Sequence, residues 1–85
     1  MDSHRSVFQA MSRKINVAIV GLGFGSEFVP IYQRHPQANM YAICQRSAEK
    51  LEQVGKAFGV EKRYQSFEDL LRDPAVDAVH INSPI

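Results

Sequence analysis

The sequence predicts an α/β protein: the N-terminal half of a doubly wound parallel sheet, with strands and helices alternating β-α-β-α-β-α-β. Three observations predict it. Short apolar runs rich in β-branched residues alternate with stretches of helical period. The first run, Ile15–Val20, is nearly continuous, as suits a strand buried on both faces. Glycines at 21, 23 and 25 follow it directly and precede a helix-period pattern. Strand, glycine turn and helix in that order form the Rossmann-type context in which such a turn binds a dinucleotide.

Each position of the turn has a physical reason. Gly21 lets the chain leave the strand at positive φ, where a Cβ is penalised. Gly23 lets the backbone approach a diphosphate closely. Leu22, Phe24 and Gly25 complete the loop, and Ser26 takes the third small position of the fingerprint. Ser26 is small enough for close helix–strand packing and can cap the helix. The amides and dipole at that helix end would face the phosphates. The alternative for the same residues is a tight turn that holds no ligand.

The remaining elements follow in order. Phe24, Phe28, Ile31, Tyr32 and His35 fall on one face at helical spacing, with a distorted first turn or kink expected at Pro30. His35-Pro36 ends this helix, His35 serving as a C-terminal cation or solvated side chain. Met40–Gln45 reads as strand two, with Tyr41, Ile43 and Cys44 packing. Ser47 caps helix two, Ala48, Leu51, Val54 and Phe58 form its stripe, and Gly59 ends it. Glu52 and Lys56 pair at i,i+4, and Gly55 costs up to about 1 kcal/mol against alanine. Lys62–Gln65 is a short third strand. Ser66 to Asp69 resembles a capping box, Phe67, Leu70 and Leu71 form the apolar side of helix three, and Asp73-Pro74 ends it. Ala75–Asn82 is strand four, in which His80 reads as a hydrogen-bonded structural histidine.

Right-handed crossovers give the spatial order 3-2-1-4, with a switch point between strands one and four. The glycine turn and the Asn82-Ser83-Pro84 turn then flank one crevice from two separate parts of the chain. Strand four would present an apolar open edge. Residues 14–85 are therefore expected to be a partial dinucleotide-binding domain, with the rest of the fold and the substrate domain outside this chain. Residues 1–13 lack periodicity and are expected to be a flexible N-terminal extension.

Composition narrows the function. At 85 residues, a chain buries only about 60–65% of its unfolded surface. Ten basic residues against nine acidic leave a net charge of +1, so no basic field points to nucleic acid or to a membrane surface. No apolar run approaches a bilayer's thickness. The single cysteine, Cys44, excludes an internal disulfide and suggests a reducing cytoplasm. Cys44 reads as a small buried hydrophobe, without a catalytic partner beside it. No metal-ligand cluster stands out.

Ile-Asn-Val-Ala-Ile-Val-Gly-Leu-Gly-Phe-Gly-Ser, then Ala-Ile-Cys-Gln-Arg-Ser, then Phe-Glu-Asp-Leu-Leu-Arg-Asp-Pro-Ala-Val-Asp-Ala-Val and a final Ser-Pro resemble the Gfo/Idh/MocA oxidoreductases over residues 14–84. The resemblance implies an NAD(P)-dependent dehydrogenase acting on a sugar, polyol or related hydroxyl compound, and a homo-oligomer as the intact protein. It implies that residues 21 to 26 hold the diphosphate and that Asn82, Ser83 and Pro84 border the nicotinamide half. The family's catalytic lysine, histidine and aspartate would lie beyond residue 85, so no catalytic residue is assigned, and the chain by itself is expected to be inactive.

One departure bears on the cofactor. NAD-binding relatives usually carry an acid where this chain has Gln45, followed by Arg46. A neutral residue removes repulsion of a 2′-phosphate, and Arg46 can pair with it or stack on adenine. This favours NADP over NAD; a solvated arginine is the alternative. Two other functions share the loop: a non-enzymatic NAD(P)-binding regulator or scaffold, and a methyltransferase reading Gly21 to Gly25 as G-x-G-x-G. The latter usually has an acid two residues before the first glycine, where this chain has Ile19.

Overall fold

A computed structural model describes residues 14–23 and 25–82. The expectations for residues 1–13, Phe24, Ser83 and Pro84 lie outside the described residues. Four parallel strands form one sheet in the order β3-β2-β1-β4: β1 Ile15–Val20, β2 Ala38–Cys44, β3 Lys62–Tyr64 and β4 Ala78–Ile81. Helices α1 Val29–Arg34, α2 Ala48–Phe58 and α3 Phe67–Leu71 connect them. The expected topology is the observed one.

Alternation along β1 sorts the core into two layers. Ile19 and its neighbours Met40 and Ile43 pack under Val29 of α1 and Leu51 and Val54 of α2. Ala18, Ala42 and Cys44 face Leu70 of α3 on the other side. Val17, Ala18 and Ile19 are all buried, as a strand covered on both faces requires. The pairing of β1 with β2 slips between Val17 and Ala18, so that Tyr41 has no partner in the register. This bulge puts Tyr41 and Ala42 on the same face, with the α3 layer.

The first helix differs from its sequence reading. Gly25–Phe28 form a 3₁₀ turn, and α-geometry begins at Val29 with Pro30 in its first turn. Proline is tolerated there, so the distortion precedes it. Three residues per turn in the 3₁₀ segment shift the helical phase. Val29 is therefore fully buried, while Ile31, expected on the core face, is 56% exposed. In α2, Ser47 Oγ accepts from the Lys50 amide at 3.3 Å, and Gly59 caps the other end at φ +70°. Ala48, expected in the buried stripe, is exposed. Gly55 is buried because Arg63 crosses it, donating from Nε to the Val60 carbonyl at 2.8 Å and from Nη1 to Glu52 at 3.2 Å. In α3 only Leu70 is buried; Phe67 and Leu71 are exposed.

Strand four is shorter than expected. Residues 75–77 instead dock on Asn16: its side-chain amide donates to the Ala75 carbonyl at 2.9 Å, and its backbone amide donates to the Asp77 carboxylate at 2.8 Å. On the outer edge of β4, Ile81 is 60% exposed, and no fifth strand pairs there among the described residues. Among the same residues no helix is long and apolar enough to cross a membrane.

Candidate functional site

The site forms where the strands end. Gly21 has φ +88°, the left-handed region that glycine enters without a Cβ penalty. Its amide donates to the Cys44 carbonyl at 3.0 Å, tying the turn to β2. Leu22, the bulky residue that follows, is fully buried in the core and leaves the crevice clear. Gly23 is exposed, and among the described residues a Cβ there would meet only the Lys50 ammonium, at 4.0 Å. Among the described residues, no backbone carbonyl takes the amide of Leu22 or Gly23. Gly25 opens the 3₁₀ turn. Ser26 lies inside that turn, its hydroxyl donating to the Gly23 carbonyl at 3.3 Å. It therefore braces the loop and is not the N-cap of α1; that position is Phe28, which supplies no side-chain cap.

Beside the turn lies an open crevice of about 620 Å³, lined by Gly21, Gln45 and Arg46 on one side and by Ser66 and Glu68 on the other. Gln45 and Arg46 are held by three bonds. The Gln45 amide donates to the Tyr64 carbonyl at 3.0 Å. The Gln45 side-chain carbonyl accepts from the Arg46 amide at 2.9 Å. The Arg46 carbonyl accepts from Gln65 Nε2 at 3.1 Å. The backbone is thus fixed while the Arg46 side chain stays exposed. Gln45 brings no charge to the crevice. Cys44 is buried, and burial pushes its thiol pKa up, away from nucleophilic use.

Asn82 closes the other flank. Its amide donates to the Val20 carbonyl at 2.8 Å, so it stands next to the glycine turn across the switch point. Its side-chain Nδ2 is buried and finds no acceptor among the described residues. A buried amide left unpaired costs free energy unless another group completes it. His80 is not part of this site. Its Nδ1 lies 2.7 Å from the Tyr32 hydroxyl and its ring stacks near Phe28, the structural role expected of it. Among the described residues no cluster of His, Cys, Asp or Glu is arranged to hold a metal.

Two features escaped sequence reasoning. Lys50, which the sequence did not single out, brings its ammonium to 4.0 Å from where a Cβ on Gly23 would stand. Asp73, read only as a helix stop, accepts from Tyr41 at 2.8 Å and from Tyr64 at 2.6 Å with one oxygen, and from the Ala75 amide at 2.9 Å with the other. These bonds, the one to Tyr64 first, hold the Asp73 carboxyl below its ordinary pKa. They push the Tyr64 hydroxyl up to about 12, and raise Tyr41 as well. The cluster ties β2 and β3 to the turn that follows α3.

Residues 15–85 match the model of an oxidoreductase family with an NAD-binding Rossmann fold, Gfo/Idh/MocA. An uncharacterized oxidoreductase of Synechocystis is 38% identical over 74 residues, 86% of this chain and 20% of that protein. An oxidoreductase from Agrobacterium radiobacter, solved in complex with NAD+, L-tartaric acid and magnesium, superposes with a TM-score of 0.79 at 30% identity over 85% of this chain and 21% of its own. The scyllo-inositol dehydrogenase of Lactobacillus casei, solved with NAD(H) and scyllo-inositol, gives a TM-score of 0.72 at 29% identity over 85% of this chain and 22% of its own. The chain spans about one fifth of the length of these relatives.

Proposed function

The chain belongs to the Gfo/Idh/MocA oxidoreductase family, with its NAD-binding Rossmann fold, and we propose that it is the nucleotide-binding portion of an NAD(P)-dependent dehydrogenase. The whole protein transfers hydride between the cofactor and a sugar, polyol or related hydroxyl compound. The scyllo-inositol bound by the Lactobacillus casei relative supports that substrate class. A separate substrate domain, the catalytic groups and a homo-oligomeric assembly belong to the whole protein. A reducing compartment such as the cytoplasm suits the buried free Cys44.

The observation that carries this reading is the open ground at Gly23 together with the buried Asn82 Nδ2, which finds no acceptor among the described residues. Both are what a flat, polar, phosphate-bearing ligand would complete. In this reading residues 21 to 26 (Gly21, Leu22, Gly23, Phe24, Gly25 and Ser26) hold the diphosphate through backbone amides. Gln45 and Arg46 meet the adenosine ribose, and Asn82, Ser83 and Pro84 border the nicotinamide. The nicotinamide, when bound, supplies the hydride acceptor or donor. The chain's own residues orient it: Leu22 keeps its bulk in the core, Ser26 braces the Gly23 carbonyl, and Gln45 fixes the Arg46 backbone.

The cofactor is NADP in preference to NAD. Gln45 offers no negative charge to repel a 2′-phosphate, and Arg46 is exposed beside it with a planar fork suited to phosphate. Binding of NADP and NAD to the whole protein and to its Arg46→Ala variant tests this. We expect NADP affinity to fall about tenfold with NAD unchanged, the value of one charge-assisted contact. Equal weakening of both would remove the phosphate role from Arg46.

A further inference from the structure

We infer that Gln65 is a positioning residue for cofactor discrimination: from the end of β3 its side-chain amide holds the Arg46 peptide, and so the stem from which the guanidinium meets a 2′-phosphate. The inference rests on the proposed role of Arg46 and names the residue that keeps Arg46 in place.

The fold sets the two residues side by side. Cys44 pairs with Tyr64 in the parallel register of β2 and β3, and the Gln45 amide continues the ladder to the Tyr64 carbonyl at 3.0 Å. Both strands end there, so Gln45-Arg46 and Gln65-Ser66 leave the sheet together and line one crevice. Arg46 belongs to no strand or helix, since α2 starts only after the Ser47 cap. Among the described residues neither of its peptide groups bonds to another backbone group. Two side-chain amides take them instead. The Arg46 amide donates to its neighbour Gln45 at 2.9 Å, and the Arg46 carbonyl accepts from Gln65 Nε2 at 3.1 Å. The first bond is local and shapes the turn. The second comes from 19 residues along the chain and ties Arg46 to the far wall of the crevice.

The tie matters to one ligand more than to another. The Arg46 side chain is exposed, so a phosphate must order it on binding. With the peptide held, only side-chain torsions remain to be ordered. With the peptide released, the backbone torsions of the turn must be ordered too, and that weakens binding. The loss falls on NADP, whose 2′-phosphate uses the guanidinium, and not on NAD. Glutamine suits the task because it donates without charge. An ionised glutamate has no proton to donate and would repel the phosphate, and a lysine would attract it directly.

The test is calorimetric titration of the whole protein with NADP and NAD, for the native sequence, Gln65→Met, Arg46→Ala and the double variant. Methionine keeps the unbranched stem and removes the donor. Gln65 is exposed, so the fold should be kept, and the unfolding midpoint checks this. We expect Gln65→Met to weaken NADP about threefold, within the value of one hydrogen bond, and to leave NAD unchanged. In the Arg46→Ala background it should change nothing further, because the group it positions is gone. An unchanged ratio of NADP to NAD affinity in Gln65→Met, where Arg46→Ala lowers that ratio, would overturn the inference and leave the role of Arg46 standing. So would equal weakening of both cofactors, the mark of a tie that is only structural. A further fall of the ratio in the double variant would place Gln65 on the cofactor itself and overturn the inference too. An unchanged ratio in Arg46→Ala would remove the 2′-phosphate reading, and the inference with it.

Discussion

Gly55→Ala in the middle of α2 should destabilise the protein, although alanine is the better helix former. The substitution gains about 1 kcal/mol of helix propensity. The added Cβ overlaps Arg63 Nε and Cζ and comes within 2.8 Å of its Cδ. Arg63 must swing away and give up two bonds, to the Val60 carbonyl at 2.8 Å and to Glu52 at 3.2 Å. The Glu52 carboxylate is 59% exposed, so that pair contributes little. The guanidinium–carbonyl bond, part-buried, is worth about 2 kcal/mol. The net cost is therefore roughly 1 kcal/mol. Native-state hydrogen exchange at the Leu51 and Val60 amides reads this locally. In an Arg63→Ala background the sign should reverse, Gly55→Ala then stabilising by about 1 kcal/mol. Stabilisation in the native background, or no change of sign between backgrounds, would refute the reasoning.

Other perturbations follow from the same structure. Asp73→Asn should return the Tyr64 hydroxyl from about 12 toward its ordinary value of 10.0, read by ultraviolet titration. Because the folded pKa of Tyr64 is raised, its contribution to stability is present below pH 10.0 and is lost as pH rises through about 12. Because the folded pKa of Asp73 is lowered, its contribution is present above pH 3.8 and is lost as pH falls through its folded value. Both limbs should flatten in Asp73→Asn; an unchanged alkaline limb would remove the cluster's role. Leu70→Ala should cost about 2–5 kcal/mol, since Leu70 is fully buried against Ala18 and Ala42. A shift of under 1 kcal/mol in chemical denaturation, against that range, would mean that α3 does not seal this face.

What could be read in the sequence was local or periodic. The apolar run of β1, the glycine turn, the Ser47, Gly59 and Ser66 caps and the strand order each depend on near neighbours or on general crossover rules. The site inherits this: Gly21, Gly23, Gln45, Arg46 and Asn82 all stand at strand ends, and the topology gathers them. What could not be read depends on contacts between distant residues. The Tyr41 bulge, which turns two consecutive side chains to one face, is a matter of register. Arg63 lies over Gly55 only because β3 packs on α2. Asp73 meets Tyr41 and Tyr64 across 32 and 9 residues of chain. The phase of α1 depends on a 3₁₀ turn that no periodicity announces. Lys50 comes near the glycine turn from 27 residues further along the chain.

Gly23→Val in the whole protein tests the diphosphate site most directly. The backbone there needs no left-handed geometry, and among the described residues a Cβ meets only a flexible ammonium, so the fold should tolerate the change. The isopropyl group would occupy the space left for phosphates. NAD and NADP binding should each fall at least about a hundredfold, roughly the cost of losing two charge-assisted contacts, with the circular dichroism spectrum and the unfolding midpoint unchanged. Retention of both affinities in a folded Gly23→Val protein would mean that the dinucleotide binds elsewhere.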